Sequence, residues 1–97
     1  MIANKSASHY TYIVECADHT LYTGYTTDLA RRVHEHNHSP KGAKYTRTRR
    51  PVVLVYSEVH STRSEAMKRE SAIKHLSRKA KLDLIKKGGL SCSQSMD

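Results

Sequence analysis

Arg32 and His36 stand one helical turn apart on what should be the buried side of a helix. The segment from Asp28 to Asn37 places Leu29, Arg32, Val33 and His36 at i, i+3, i+4 and i+7, the stripe that an amphipathic helix turns inward. Two of those four are polar. An unpaired cation in a core is strongly destabilising, so such a helix either pairs these groups or opens a cleft beside them. In a cleft, an arginine can hold a phosphate through two parallel N–H bonds, and a histidine can exchange a proton near neutral pH. A carboxylate follows the same pattern later in the chain. Glu70 projects between Ala66 and Met67 on an apolar arc completed by Ile73 and Leu76. That arc also contains Arg69, and Glu70 with Lys74 is an ordinary i, i+4 surface pair, so a structural role competes with a chemical one.

The polar groups must be positioned by a small domain. The chain has 97 residues, 37% of them apolar, enough for one domain with a thin core. Seventeen Lys and Arg against nine acids give a formal charge of +8, which makes a polyanion, and nucleic acid first, the natural partner. Cys16 and Cys92 are far apart and have no CxxC neighbour, which argues against a disulfide scaffold and favours a reducing compartment. No apolar run reaches the length of a membrane span and residues 1–8 lack an apolar signal region, so a cytoplasmic protein without a membrane partner is expected. All six aromatic residues are tyrosines. Each buried one needs a partner for its hydroxyl, so several should line a polar concavity.

The expected elements run β-β-α-β-α-α. His9 to Cys16 and Thr20 to Thr26 read as strands of a hairpin around Ala17, Asp18 and His19. A three-residue loop pairs Val14 with Tyr22 and puts Tyr12 and Tyr22 on one face; His19 would then take the left-handed conformation. The first helix starts at Thr27 or Asp28 and fades at Asn37. Lys41, Lys44, Arg47, Arg49 and Arg50 surround Tyr45 in a segment without apolar periodicity, expected to be an exposed loop or one short helical turn. Val52 to Val59 is nearly continuously apolar, as a strand buried on both faces at the centre of the sheet would be. Thr62 and Glu65 form a capping box for a helix reaching about His75, and Ser77 caps another that stops at Gly88. This order implies an α+β fold, a three-stranded mixed or antiparallel sheet with helices packed on it. Residues 9–87 form the domain, with a flexible N-terminus over 1–8 and a disordered tail over 88–97.

Taken in order, Tyr10-Thr11-Tyr12, Tyr22-Thr23-Gly24, Arg32, His36 and Glu70 resemble the landmarks of the GIY-YIG nuclease superfamily, and most closely its small single-domain bacterial members of the UPF0213 type. Tyr10 and Thr23 stand where that pattern has Gly and Ile, and His19 replaces a common turn glycine. The resemblance implies that Tyr12 and Tyr22 are the two motif tyrosines, Arg32 the helix arginine, His36 the residue one turn later and Glu70 the metal ligand. It implies a single divalent cation, Mg2+ or Mn2+, and metal-dependent phosphodiester hydrolysis.

These residue types suit that chemistry. Hydrolysis needs a deprotonated water and neutralisation of charge growing on phosphate oxygens, which Arg32 and a cation on Glu70 would provide. Tyr12 and His36 are the candidate proton-transfer partners, and Tyr22 would orient water or phosphate. Lys41, Lys44, Tyr45, Arg47, Arg49 and Arg50 suit contacts to phosphates and bases, with DNA ahead of RNA. The plain alternatives are half-buried sheet tyrosines and a merely solvated basic loop. The competing function is a nucleic-acid-binding module with weak or no catalysis, acting with a partner.

Overall fold

The loop of the first hairpin sets the register on which the site depends. In the computed structural model, which describes residues 8–88, strands β1 (His9–Glu15) and β2 (Leu21–Thr26) are joined through bonds from Cys16 N–H to Thr20 O and from His19 N–H to Cys16 O, both 2.8 Å. Ala17, Asp18 and His19 therefore form the loop, and His19 takes φ 68°, as the three-residue reading requires. The Asp18 carboxylate steadies the turn by accepting from Thr20 N–H and Thr20 Oγ1. Val14 pairs with Tyr22 and Tyr12 with Gly24, so Tyr12 and Tyr22 do share a face. The expectations for residues 1–8 and 88–97 lie outside the described residues, apart from residue 8 and Gly88.

Strand β3 (Val53–His60) pairs antiparallel with β1, giving the order β2-β1-β3. This corrects the expected central position of the apolar run: β1 is central and β3 is an edge, with Val53 and Val59 exposed. A bulge explains the misleading pattern. Ile13 pairs with Tyr56 but Val14 pairs with Leu54, leaving Val55 as an extra residue. Leu54 consequently packs with Tyr12 and Val14, while Val55 and Tyr56 pack with Ile13 and Ile73 on the other face. Strand β1 hid its central place because Thr11 and Tyr12 are polar, yet both are buried with their hydroxyls bonded.

Helices cover both faces. Helix α1 (Leu29–His38) is capped by Asp28, whose carboxylate accepts from Arg31 N–H, and packs Leu29 and Val33 on the Tyr12 side. The basic segment forms one short turn, α2 (Lys44–Arg47). Helix α3 (Arg63–Lys74) lies on the opposite face, where Thr11 Oγ1 donates to Ala66 O at 2.7 Å. Thr62 caps it by accepting from Glu65 N–H, but the Glu65 carboxylate accepts from Ser61 Oγ, so only half of the expected capping box forms. Of its expected apolar arc, Ala66 and Ile73 are buried, whereas Met67 and Leu76 are over a third exposed. Helix α4 (Arg78–Gly88) is capped by Ser77 and adds Leu84 and Ile85 to that side.

Thr23 pairs with Ile13 and is only 2% exposed, and its hydroxyl has no hydrogen-bond partner. Burying a lone hydroxyl costs about 1–3 kcal/mol. Thr23→Val keeps the shape and removes the group, so it should raise stability by about 1 kcal/mol in urea titration. A variant less stable than the parent would show that the hydroxyl is satisfied in solution.

Candidate active site

Tyr12 leaves β1 on the α1 side and lies across β2 at Gly24. A Cβ at Gly24 would overlap the Tyr12 ring and hydroxyl, so glycine there opens the trough that the ring occupies. The hydroxyl reaches His36, with Tyr12 Oη 2.7 Å from His36 Nε2; Tyr12 is 1% exposed and His36 fully buried. On its other side His36 Nδ1 is 2.8 Å from Thr46 Oγ1, supplied by α2. Tyr22 meets the His36 ring edge-on, with centroids 5.5 Å apart, and stacks on Tyr45 at 5.9 Å. Three tyrosines and a histidine thus form one continuous cluster.

Arg32 sits beside this cluster with its side chain a quarter exposed. Its Nη1 donates to Glu35 Oε1 at 2.9 Å and to Lys41 O at 3.1 Å. Gly42 permits that arrangement, since a Cβ there would lie 2.7 Å from Glu35 O and force the Lys41 segment off α1. Burial works against the Arg32 charge, but the Glu35 bond and the nearby Tyr12 phenol outweigh it and hold the guanidinium protonated. Burial pushes the Tyr12 phenol up to about 12 against the pull of Arg32, while the charges of Tyr22 and Glu70 add to the rise. Burial, followed by the Arg32 charge, lowers His36 to about 4. At neutral pH the proton rests on Tyr12 and the imidazole is uncharged.

Glu70 comes from the other side of the sheet, on the same face of α3 as Ala66 and Ile73. Its side chain is 14% exposed and its ion-pair partner is Lys74, at 3.1 Å. Its charge reaches the Tyr12 hydroxyl, although no hydrogen bond joins it to the cluster. Tyr12, Tyr22, Arg32 and His36 are brought together; Glu70 stands near them electrostatically. Among the described residues, no three His, Cys, Asp or Glu side chains group into a metal cage. Both His36 nitrogens and the Tyr12 hydroxyl are already bonded, which leaves the Glu70 carboxylate as the protein donor. One carboxylate fits a hard cation which keeps much of its water, as Mg2+ does.

The basic segment divides in two. Lys41, Lys44 and Arg47 are exposed. Arg49 lies over the Tyr45 ring, 3.9 Å from its centroid, and also bonds Asp18 and Tyr45 O. Tyr45 therefore has Tyr22 and Arg49 on its ring. Arg50 donates to the carbonyls of His36, Ser39 and Glu35, closing the C-terminus of α1. Asn37 bonds both the N–H and the carbonyl of Val52, fastening the same helix end to the residue that precedes β3. Sequence reasoning did not single out Thr46 or Asn37, because a threonine among cations and an asparagine at a helix end carry no spacing that marks a partner.

A sequence model described as the GIY-YIG catalytic domain matches residues 8–83. The chain is 61% identical over 79 residues to UPF0213 protein SH2523 of Staphylococcus haemolyticus, covering 81% of this chain and 95% of that one. It is 64% identical over 77 residues to UPF0213 protein DP2720 of Desulfotalea psychrophila, covering 79% and 70% respectively. The solution NMR structure of UPF0213 protein BH0048 from Bacillus halodurans superposes with a TM-score of 0.57 at 49% identity, over 86% of this chain and 87% of that one.

Burial of a neutral His36 makes stability depend on pH. The unfolded histidine takes a proton below its ordinary 6.5, whereas the folded one resists to about 4. Between those values the unfolded state binds more protons, so stability falls as pH drops, by on the order of 3 kcal/mol across the whole window. The melting temperature should fall from pH 6.5 to 4.5, and His36→Gln should flatten that slope. A parent slope equal to that of the variant would show that His36 is not held neutral.

Proposed function

Since this chain belongs to the GIY-YIG catalytic-domain family, and within it to the UPF0213 proteins, we propose that it hydrolyses phosphodiester bonds of nucleic acid with one Mg2+ or Mn2+. The observation that carries this reading is the Tyr12 hydroxyl bonded to His36 with the Arg32 guanidinium nearby, beside exposed cations. Lys41, Lys44 and Arg47 attract the polyanion, DNA being the first substrate to test. Arg32 clamps a non-bridging phosphate oxygen, and its bonds to Glu35 and Lys41 fix the fork before substrate arrives. Tyr12 orients the attacking water through its oxygen, and its proton can pass to His36 Nε2 as the water gives up its own. Tyr22, packed edge-on against His36, bounds the other side of the reacting phosphate. Glu70 would hold the cation, which supplies neutralisation of the charge growing on the phosphate oxygens.

The resting protonation pattern favours this relay over a free base. With Tyr12 near 12 and His36 near 4, neither group removes a proton from water by itself. Phosphate placed against the cluster brings negative charge that raises the affinity of His36 for a proton.

Single-turnover cleavage and binding separate the enzyme from a module that only binds. Cleavage should require Mg2+ or Mn2+, and Arg32→Ala and Glu70→Gln should each lower it by at least about a hundredfold while affinity changes only a few fold. Joint replacement of Lys41, Lys44 and Arg47 by Ala should lower affinity and reduce the log–log salt slope by up to about 3. Salt-sensitive binding without cleavage by the parent, on duplex, single-stranded, flapped and branched substrates, would establish the binding module instead.

A further inference from the structure

We propose that Thr46 is a positioning residue that fixes His36 in the Nδ1–H tautomer, so that Nε2 always presents a lone pair to the Tyr12 hydroxyl. The heavy-atom distances admit two directions for the chain linking Tyr12, His36 and Thr46: Tyr12 Oη to His36 Nε2 at 2.7 Å, and His36 Nδ1 to Thr46 Oγ1 at 2.8 Å. Proton counting selects one. Thr46 Oγ1 donates to Ala43 O at 2.9 Å, one turn back in the helix, so its only proton is used there and its oxygen accepts from Nδ1–H. A neutral imidazole with a proton on Nδ1 has its lone pair on Nε2, and Tyr12 O–H donates into it.

The reverse direction fails at Tyr12. If His36 Nε2–H donated to Tyr12, the phenol would need another acceptor for its own proton. Among the described residues His36 is the group hydrogen-bonded to the Tyr12 hydroxyl, and the Arg32 guanidinium beside it can only donate. With Tyr12 1% exposed, that proton would be buried without a partner, at a cost comparable to a lost hydrogen bond. The forward direction satisfies every member: Arg32 faces the Tyr12 oxygen, Tyr12 donates to His36, His36 to Thr46, and Thr46 to Ala43.

This role rests on the nuclease reading for its consequence but not for its geometry. In the reaction the water oxygen bonds phosphorus while one water proton passes to Tyr12 Oη. The phenol proton moves to His36 Nε2, and the bond from phosphorus to the leaving oxygen breaks with its electron pair, that oxygen taking a proton from solvent. His36 then carries N–H groups on both nitrogens, the Nδ1 one still held by Thr46, and returns its extra proton through Tyr12 to solvent. With the Nε2–H tautomer the relay has no acceptor. Thr46 thus acts through His36 without touching substrate, as an outer partner of a metal-bound histidine sets its tautomer.

The test combines nitrogen-detected NMR of the His36 ring with single-turnover cleavage and binding, on the parent, Thr46→Val and Thr46→Ser. The parent and Thr46→Ser should show Nδ1 protonated and Nε2 as acceptor. Thr46→Val keeps the shape but removes the acceptor, and should shift His36 toward the Nε2–H form, lowering cleavage about ten- to a hundredfold with affinity within about twofold. Thr46→Ser should restore both the ring signature and the rate. A parent ring protonated on Nε2 overturns the proposal directly, even if Thr46→Val fails to fold. An unchanged tautomer and rate in folded Thr46→Val also overturns it. A parent that shows the Nδ1–H form yet cleaves nothing would sink the nuclease reading while supporting the hold of Thr46 on the ring.

Discussion

A phenol and an imidazole, bonded at 2.7 Å and removed from water, set the terms for everything around them. Polar groups at that depth are tolerated only when each donor and acceptor is met, so the pair dictates its surroundings. Gly24 must be bare to admit the Tyr12 ring, and α1 must turn its stripe so that His36 points at the sheet. The short helix α2 must bring Thr46 under the far nitrogen, which explains why a strongly basic segment folds back on the domain. Arg32 and Tyr22 then take places beside a ring bonded at both nitrogens.

The rest of the fold holds those pieces in register with polar clamps where a small core offers little apolar area. Arg50 and Asn37 fix the C-terminal end of α1, the end that bears His36. Asp18 and Arg49 tie the hairpin loop to the Tyr45 stack. On the opposite face Glu58 accepts both arms of Arg69 and bonds Tyr56 and His60, joining β3 to α3. The Arg69 bonds outweigh burial and draw that carboxylate down to about 2, so the clamp stays charged at neutral pH. A chain without Phe or Trp uses tyrosine hydroxyls and guanidinium groups to specify contacts that larger apolar cores make by shape.

Local signals were legible and long-range ones were not. Hairpin alternation and the tolerance of His19 for left-handed geometry indicated the loop, and with it the shared face of Tyr12 and Tyr22. The polar interruptions at Arg32 and His36 indicated polar groups turned inward on α1, because helical period alone places them there. The position of β3 was misread, since a bulge at Val55 sends neighbouring apolar residues to different faces of an edge strand. Arg49 and Arg50 looked like free cations because nothing in their spacing shows that Asp18, Tyr45 and the carbonyls of α1 engage them. The bond of His36 to Thr46 crosses a loop, and no periodicity reports such a contact.

In the proposed mechanism the Tyr12 hydroxyl links water to His36, so its removal alone is the most direct test. Tyr12→Phe deletes one oxygen and keeps the ring that fills the trough over Gly24. Single-turnover cleavage with Mg2+, measured on protein shown to be folded and to bind nucleic acid, should fall by at least about a hundredfold. A folded Tyr12→Phe protein that cleaves at the parental rate would contradict it.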